Sequence, residues 1–140
     1  MKLSVIGAGA IGGWLTGGFI EAGATATVLA RGATLDALQT SGLALDDGRT
    51  LRRYTVAATD DPAALRDADV LLLGLKSHDL PALVPLLDAA IGPRTTIVAA
   101  INGLPWWFFE AFGGPARGLT LQTVDPGGAL ARLMPANRVV

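Results

Sequence analysis

The residues best placed to do chemistry stand near the start, in "GAGAIG", residues 7–12. Gly7, Gly9 and Gly12 form a G-x-G-x-x-G string. In that pattern each glycine has its own task. Gly7 permits a tight strand-to-helix turn. Gly9 has no Cβ, so a pyrophosphate can approach the backbone, and Gly12 lets helix and strand pack closely. The amides around Ala10, Ile11 and Gly12 would then meet the anion from a helix N-terminus. The string alone is a weak signal, and a glycine-rich turn that only permits packing is the plain alternative.

The second candidate decides which dinucleotide fits. An Asp or Glu at the end of the second strand would accept the ribose 2′-hydroxyl of NAD. The chain offers Ala30-Arg31-Gly32 there, and no carboxylate lies between Glu21 and Asp36. A guanidinium can fork onto a 2′-phosphate, so Arg31 favours NADP over NAD; the plain alternative is a solvated loop cation. Lys76 follows a long apolar run, "DVLLLGL". A lysine leaving a strand at that end can reach a phosphate, a ribose or a substrate carboxylate. Asn102-Gly103 follows "TTIVAAI" and offers a donor, an acceptor and tolerance of left-handed backbone. His78 is the only histidine and is read as a capping or surface residue rather than a base.

The elements that must position these residues alternate. Strands are expected at 2–6, 25–30, 69–75, 95–101 and 116–124. Helices are expected at 10–22, 33–42, 60–68, 78–91 (starting near Leu80, with Pro85 able to kink it) and 105–112. Residues 43–56 alternate around Asp47-Gly48 and read as a hairpin. "DPGG" at 125–128 is a turn, and a strand is expected to begin near Val140. Near-continuous apolar strands alternating with helices indicate an α/β, Rossmann-type doubly wound, mostly parallel sheet covered on both faces. The glycine string follows a strand, opens a helix and is followed by a second strand within about 30 residues, which gives it meaning.

The 140 residues suffice for one domain, 1–140, with no internal boundary. A net charge of -1 gives no electrostatic case for nucleic acid. There are no cysteines, which excludes disulfides, thiol catalysis and thiolate metal sites and suits the cytoplasm. One histidine and dispersed acids supply no metal-ligand cluster. The uncharged run from Leu3 to Ile20 superficially resembles a signal peptide or a membrane span, but its six glycines oppose both. The chain is 51% hydrophobic and 16% charged, apolar enough to suggest a surface meant for a partner. "PWWFF" at 105–109 is the expected patch, and a homodimer with Trp106 or Trp107 in the contact is the expected assembly.

"GAGAIGG", the "AR" that ends the second strand, "LLLGLKS" and "AAINGLPWW" together resemble the amino-terminal half of the ketopantoate reductase (2-dehydropantoate 2-reductase) family. The resemblance covers essentially the whole chain and keeps the family's order and spacing. It implies a Rossmann-type NADP domain in which Gly7 to Gly12 hold the pyrophosphate and Arg31 meets the 2′-phosphate. It places Lys76 and Asn102 near the nicotinamide ribose and the substrate, a 2-keto acid such as ketopantoate on the route to pantothenate. Family members are about twice this length, in keeping with separate cofactor and substrate domains. Their helical carboxy-terminal half supplies the catalytic lysine and a substrate-binding acid. The resemblance therefore implies a shortened chain, no catalytic residue within it, weak cofactor binding and little or no turnover. A 6-phosphogluconate- or opine-type dehydrogenase domain and a non-catalytic dinucleotide-binding module are the alternatives.

Overall fold

The computed structural model describes residues 1–112 and 114–140. Its centre is a parallel sheet in the order β5-β2-β1-β6-β7. The strands are β1 (Lys2–Ile6), β2 (Thr25–Leu29), β5 (Ala57–Thr59), β6 (Val70–Leu73) and β7 (Thr96–Ala99). Between β2 and β5 an antiparallel hairpin is inserted, β3 (Leu43–Asp46) with β4 (Leu51–Tyr54). The helices are α1 (Ala10–Glu21), α2 (Gly32–Ser41), α3 (Val84–Ala90), α4 (Phe108–Phe112) and α5 (Ala129–Leu133).

The sheet buries apolar side chains on both faces, most fully at β6, which carries no polar residue. Successive side chains of a strand point to opposite faces. Leu71 and Leu73 accordingly enter one core with Leu80, Leu87, Trp106, Leu130 and Met134, while Leu72 enters the other with Leu3, Val5, Val28 and Leu43. All three leucines of β6 are fully buried. Each is worth about 1.5–3 kcal/mol relative to an exposed position. The β1 register pairs Ile6 with both Leu29 and Leu73, and Leu73 pairs with Ala99. Four strands thus end in one row, Leu29–Ile6–Leu73–Ala99.

The hairpin leans on α1 because α1 has no side chain where they meet. A Cβ on Gly17 would lie 2.8 Å from Leu45 Cδ1 and 3.0 Å from Tyr54 Cε2. The Tyr54 hydroxyl donates to Glu21 Oε1 at 2.5 Å, and Arg52 reaches both Glu21 (3.4 Å) and Asp47 (3.3 Å).

Several expectations are corrected. Residues 116–124 form no strand: successive turns close from Leu119 N–H to Ala116 O and from Val124 N–H to Leu121 O, and Leu119 is exposed. That run has alternation but no neighbouring strand to pair with. The segment 78–91 is divided: 3₁₀ turns run over Ser77–Leu83, and α3 starts at Val84 with Pro85 in its first turn, where proline's missing N–H costs nothing. Residues 62–65 are 3₁₀, with the Asp61 carboxylate accepting from the Ala63 amide at 2.9 Å. The aromatic segment is helical only from Phe108. Its first tryptophan does not face outward: Trp106 is 3% exposed, stacks edge-on with Trp107 and donates Nε1–H to Met134 O at 2.9 Å. The expectation that Trp106 contacts a second copy gives way to a place in the domain's own core, against which Trp107 also packs. β5 went unforeseen. Near Val140, where a strand is expected to begin, Val139 forms an isolated parallel bridge with Ile97, and Val140 exchanges backbone hydrogen bonds with Ile97 and Ala99.

Candidate dinucleotide site

Three glycines build the turn between β1 and α1. Gly7 sits at φ +92°, and a Cβ there would lie 2.6 Å from Gly74 O. A Cβ on Gly12 would collide with the carbonyl oxygen of Gly7. Backbone at such positions cannot give way, so any side chain would open the loop. Gly9 is different: nothing lies within 4 Å of where its Cβ would be. The loop therefore has two glycines that admit backbone and one that faces open space.

Gly9 is also the N-cap of α1, in extended conformation and without a side-chain cap. The first intrahelical bond runs from Gly13 N–H to Gly9 O at 2.7 Å. The amides of Ala10, Ile11 and Gly12 precede it and have no helical acceptor. Thr16, fully buried, donates its hydroxyl to Gly12 O at 2.6 Å and ties the first turn to the second. Uncapped amides at the positive end of a helix beside an open glycine fit a diphosphate, with no acidic residue in the first turn to oppose it.

The row of strand ends distributes the other candidates. Arg31 stands two residues beyond β2, Lys76 three beyond β6 and Asn102 three beyond β7, all along the carboxyl edge of the sheet. At about 4.8 Å per strand, β2 and β7 lie roughly 14 Å apart with the glycine loop between them. The sheet order reverses direction between β1 and β6, the crevice where open α/β sheets take ligands. Arg31 is exposed and forms no ion pair among the described residues. It N-caps α2, whose first turn also carries no acid and no capping side chain. Lys76 is exposed and N-caps the 3₁₀ segment. Asn102 is exposed; the left-handed backbone belongs to its neighbour Gly103, at φ +95°. A Cβ on Gly103 would stand 3.7 Å from Ser77 Oγ, so the Lys76-Ser77 and Asn102-Gly103 loops adjoin. His78 is 74% exposed at its side chain and lies 3.5 Å from Asp79 Oδ1.

Gly74 is the residue that sequence reasoning passed over. It directly follows β6, its amide donates to Ile6 O at 2.9 Å, and its backbone forms the wall against which Gly7 and Gly12 rest. The signal was present: "LLLGLK" interrupts an apolar strand with a glycine at the level of the first loop. Among the described residues, no helix is long and apolar enough to cross a membrane.

A family profile described as ketopantoate reductase PanE/ApbA matches residues 3–105. A 2-dehydropantoate 2-reductase from Mesorhizobium japonicum is 38% identical over 141 aligned positions, covering 100% of this chain and 43% of that protein. Another, from Listeria monocytogenes, is 29% identical over 105, covering 74% of this chain and 35% of its own. A crystal structure from Ralstonia solanacearum assigned to the ketopantoate reductases superposes with a TM-score of 0.88 at 44% identity, over 98% of this chain and 42% of that one. The chain thus spans less than half the length of the relatives it matches.

Proposed function

Because the chain belongs to the ketopantoate reductase PanE/ApbA family, we propose that it is the NADP(H)-binding part of an oxidoreductase that converts a 2-keto acid such as ketopantoate to the 2-hydroxy acid. The observation that carries this reading is the row of strand ends: an uncapped glycine loop at the centre, an exposed arginine on one side, and a lysine and an asparagine on the other. NADPH, when bound, supplies the hydride. The chain's own residues bind and orient. Gly7, Gly9, Ala10, Ile11 and Gly12 hold the pyrophosphate by backbone. Arg31 and the first turn of α2 receive the 2′-phosphate. Lys76 and Asn102 offer donors to the nicotinamide ribose and to the carboxylate or keto oxygen of the substrate.

No residue of this chain is assigned the role of general acid. The relatives carry more than half of their length outside the matched segment, and we place that acid there. Equilibrium titration with NADP⁺ and a steady-state assay of ketopantoate reduction test the two halves of the reading. Saturable NADP⁺ binding without turnover is expected. Failure to bind a dinucleotide overturns the site, and robust turnover overturns the assignment of the acid.

A further inference from the structure

The loops that leave β6 and β7 meet at Ser77 and Gly103. Gly103 stands at φ +95°, and outside its two chain neighbours the described residues place one heavy atom within 4 Å of where its Cβ would be, Ser77 Oγ at 3.7 Å. The glycine therefore leaves a gap between the two loops, and a serine hydroxyl borders it. Gly103 is exposed and Ser77 half-buried, so the gap is open on one side and closes toward the serine. Lys76 and Asn102 are the chain neighbours of these two residues.

The Ser77 hydroxyl is not used inside the fold. Ser4, Thr16 and Thr95 are buried, and each donates to a backbone carbonyl: Leu65 O at 3.2 Å, Gly12 O at 2.6 Å and Ala68 O at 2.9 Å. A hydroxyl taken out of water needs such a partner. Ser77 Oγ, half-buried, makes no hydrogen bond among the described residues. Water can satisfy it while the gap stands open. A ligand that filled the gap would have to offer a hydrogen bond in exchange.

We propose that Ser77 is a further cofactor-binding residue, whose hydroxyl holds the nicotinamide riboside half of the dinucleotide. The inference rests on the dinucleotide reading above and deepens it. Position selects that half of the ligand. Along the sheet, Arg31 lies beyond β2, the glycine loop beyond β1, and Ser77 beyond β6, facing Gly103 beyond β7. With the 2′-phosphate at Arg31 and the pyrophosphate at the loop, the adenosine occupies the β2 side. The rest of the molecule, the nicotinamide riboside, then crosses to the β6–β7 side, one to two strand spacings or roughly 5–10 Å from the loop. The chemistry agrees. The ribose hydroxyls and the carboxamide of that half both donate and accept, as a serine hydroxyl does. Lys76 beside it can only donate, so Ser77 adds an acceptor on the β6 side.

Calorimetric titration of the 140-residue chain with two ligands is the test: NADP⁺, and adenosine 2′,5′-bisphosphate, which keeps the 2′-phosphate but lacks the nicotinamide riboside. Ser77→Ala should weaken NADP⁺ binding roughly three- to tenfold, the worth of one hydrogen bond, and leave the bisphosphate affinity unchanged. Its thermal melt should match the wild type, because the hydroxyl has no partner in the fold to lose. An equal loss for both ligands overturns the proposal, since the serine then only shapes the site. Wild-type affinity for NADP⁺ in Ser77→Ala overturns it as well, and leaves the dinucleotide site standing without Ser77. A wild-type chain that binds neither ligand overturns the dinucleotide reading itself, and this inference with it.

Discussion

A Cβ on Gly74 would lie 2.9 Å from the Cα of Gly12, although one residue directly follows β6 and the other stands in the first turn of α1. The glycine loop is therefore a three-way backbone junction rather than a local turn. Gly74→Ala should force the junction apart. The expected outcome is a stability loss of about 1–3 kcal/mol and a fall in NADP⁺ affinity larger than that of Gly48→Ala, a surface-loop control whose Cβ position is open although its φ is +79°. Thermal denaturation with ligand titration checks both. Unchanged affinity would mean that the loop holds its shape without β6.

Gly9 gives the opposite behaviour. Nothing surrounds its Cβ position, and its backbone is extended. Gly9→Val should fold with a stability change within about 1 kcal/mol, the scale of an N-cap substitution. Dinucleotide binding should be lost, because the new side chain takes the pyrophosphate's place. A folded Gly9→Val protein that binds normally would move the site elsewhere.

Arg31 should decide between cofactors. NADPH should bind more tightly than NADH by about 1–3 kcal/mol, the range of a hydrogen bond to a charged group. Arg31→Ala should abolish most of that preference while leaving NADH affinity unchanged. Because Arg31 is exposed, the preference should shrink as salt is added. Calorimetric titrations at two ionic strengths decide it; equal affinities in the wild type would assign Arg31 to solvent.

Trp106→Ala should cost about 3–5 kcal/mol, the range for a buried aromatic, since it removes a core side chain and leaves Met134 O without its donor. Trp106→Phe should cost less, keeping most of the volume and losing only the N–H. Urea denaturation measures both. A surface-like effect below about 0.5 kcal/mol would return Trp106 to the exterior.

The hairpin anchor has a pH signature. The Tyr54 hydroxyl, above all, holds the Glu21 carboxyl below its ordinary pKa, with Arg52 adding to the effect. A carboxyl depressed in the folded state stabilises it at pH values above the unfolded pKa, and that contribution fades as pH falls through the folded value. Tyr54→Phe should move the Glu21 titration upward toward the ordinary carboxylate range. NMR titration of the Glu21 side chain reads this directly, and an unmoved midpoint would show that the hydroxyl is not its partner.

The parts of the site that were legible in the sequence share a physical cause. Gly7 and Gly12 are constrained by backbone contact, which no other residue type satisfies, so their spacing carries the message unaided. β6 and β7 were legible because burial on both faces demands apolar runs, and β2 because it is rich in β-branched residues. β5 was not: "AAT" has little strand preference, and its place comes from hydrogen bonds to β2. Residues 116–124 misled for the converse reason, having a strand's alternation without a partner strand. The aromatic density at 105–109 announced burial but not against what. Trp106 found its answer in Met134, 28 residues later, a distance that no local pattern spans.

The junction of Gly7, Gly12 and Gly74 also bears on the order in which the chain acquires its shape. β1 meets β2 across 23 residues, Ile6 to Leu29, but meets β6 across 67, Ile6 to Leu73. Closing the longer loop is the costlier entropic step, and non-local parallel pairing is slow. The wall supplied by Gly74 arrives only with β6. A β1–α1–β2 unit formed early would hold the glycines without their final curvature. In a refolding experiment, recovery of helical signal should precede recovery of nucleotide binding, so that ligand capture times the docking of β6 rather than the formation of the loop's own residues.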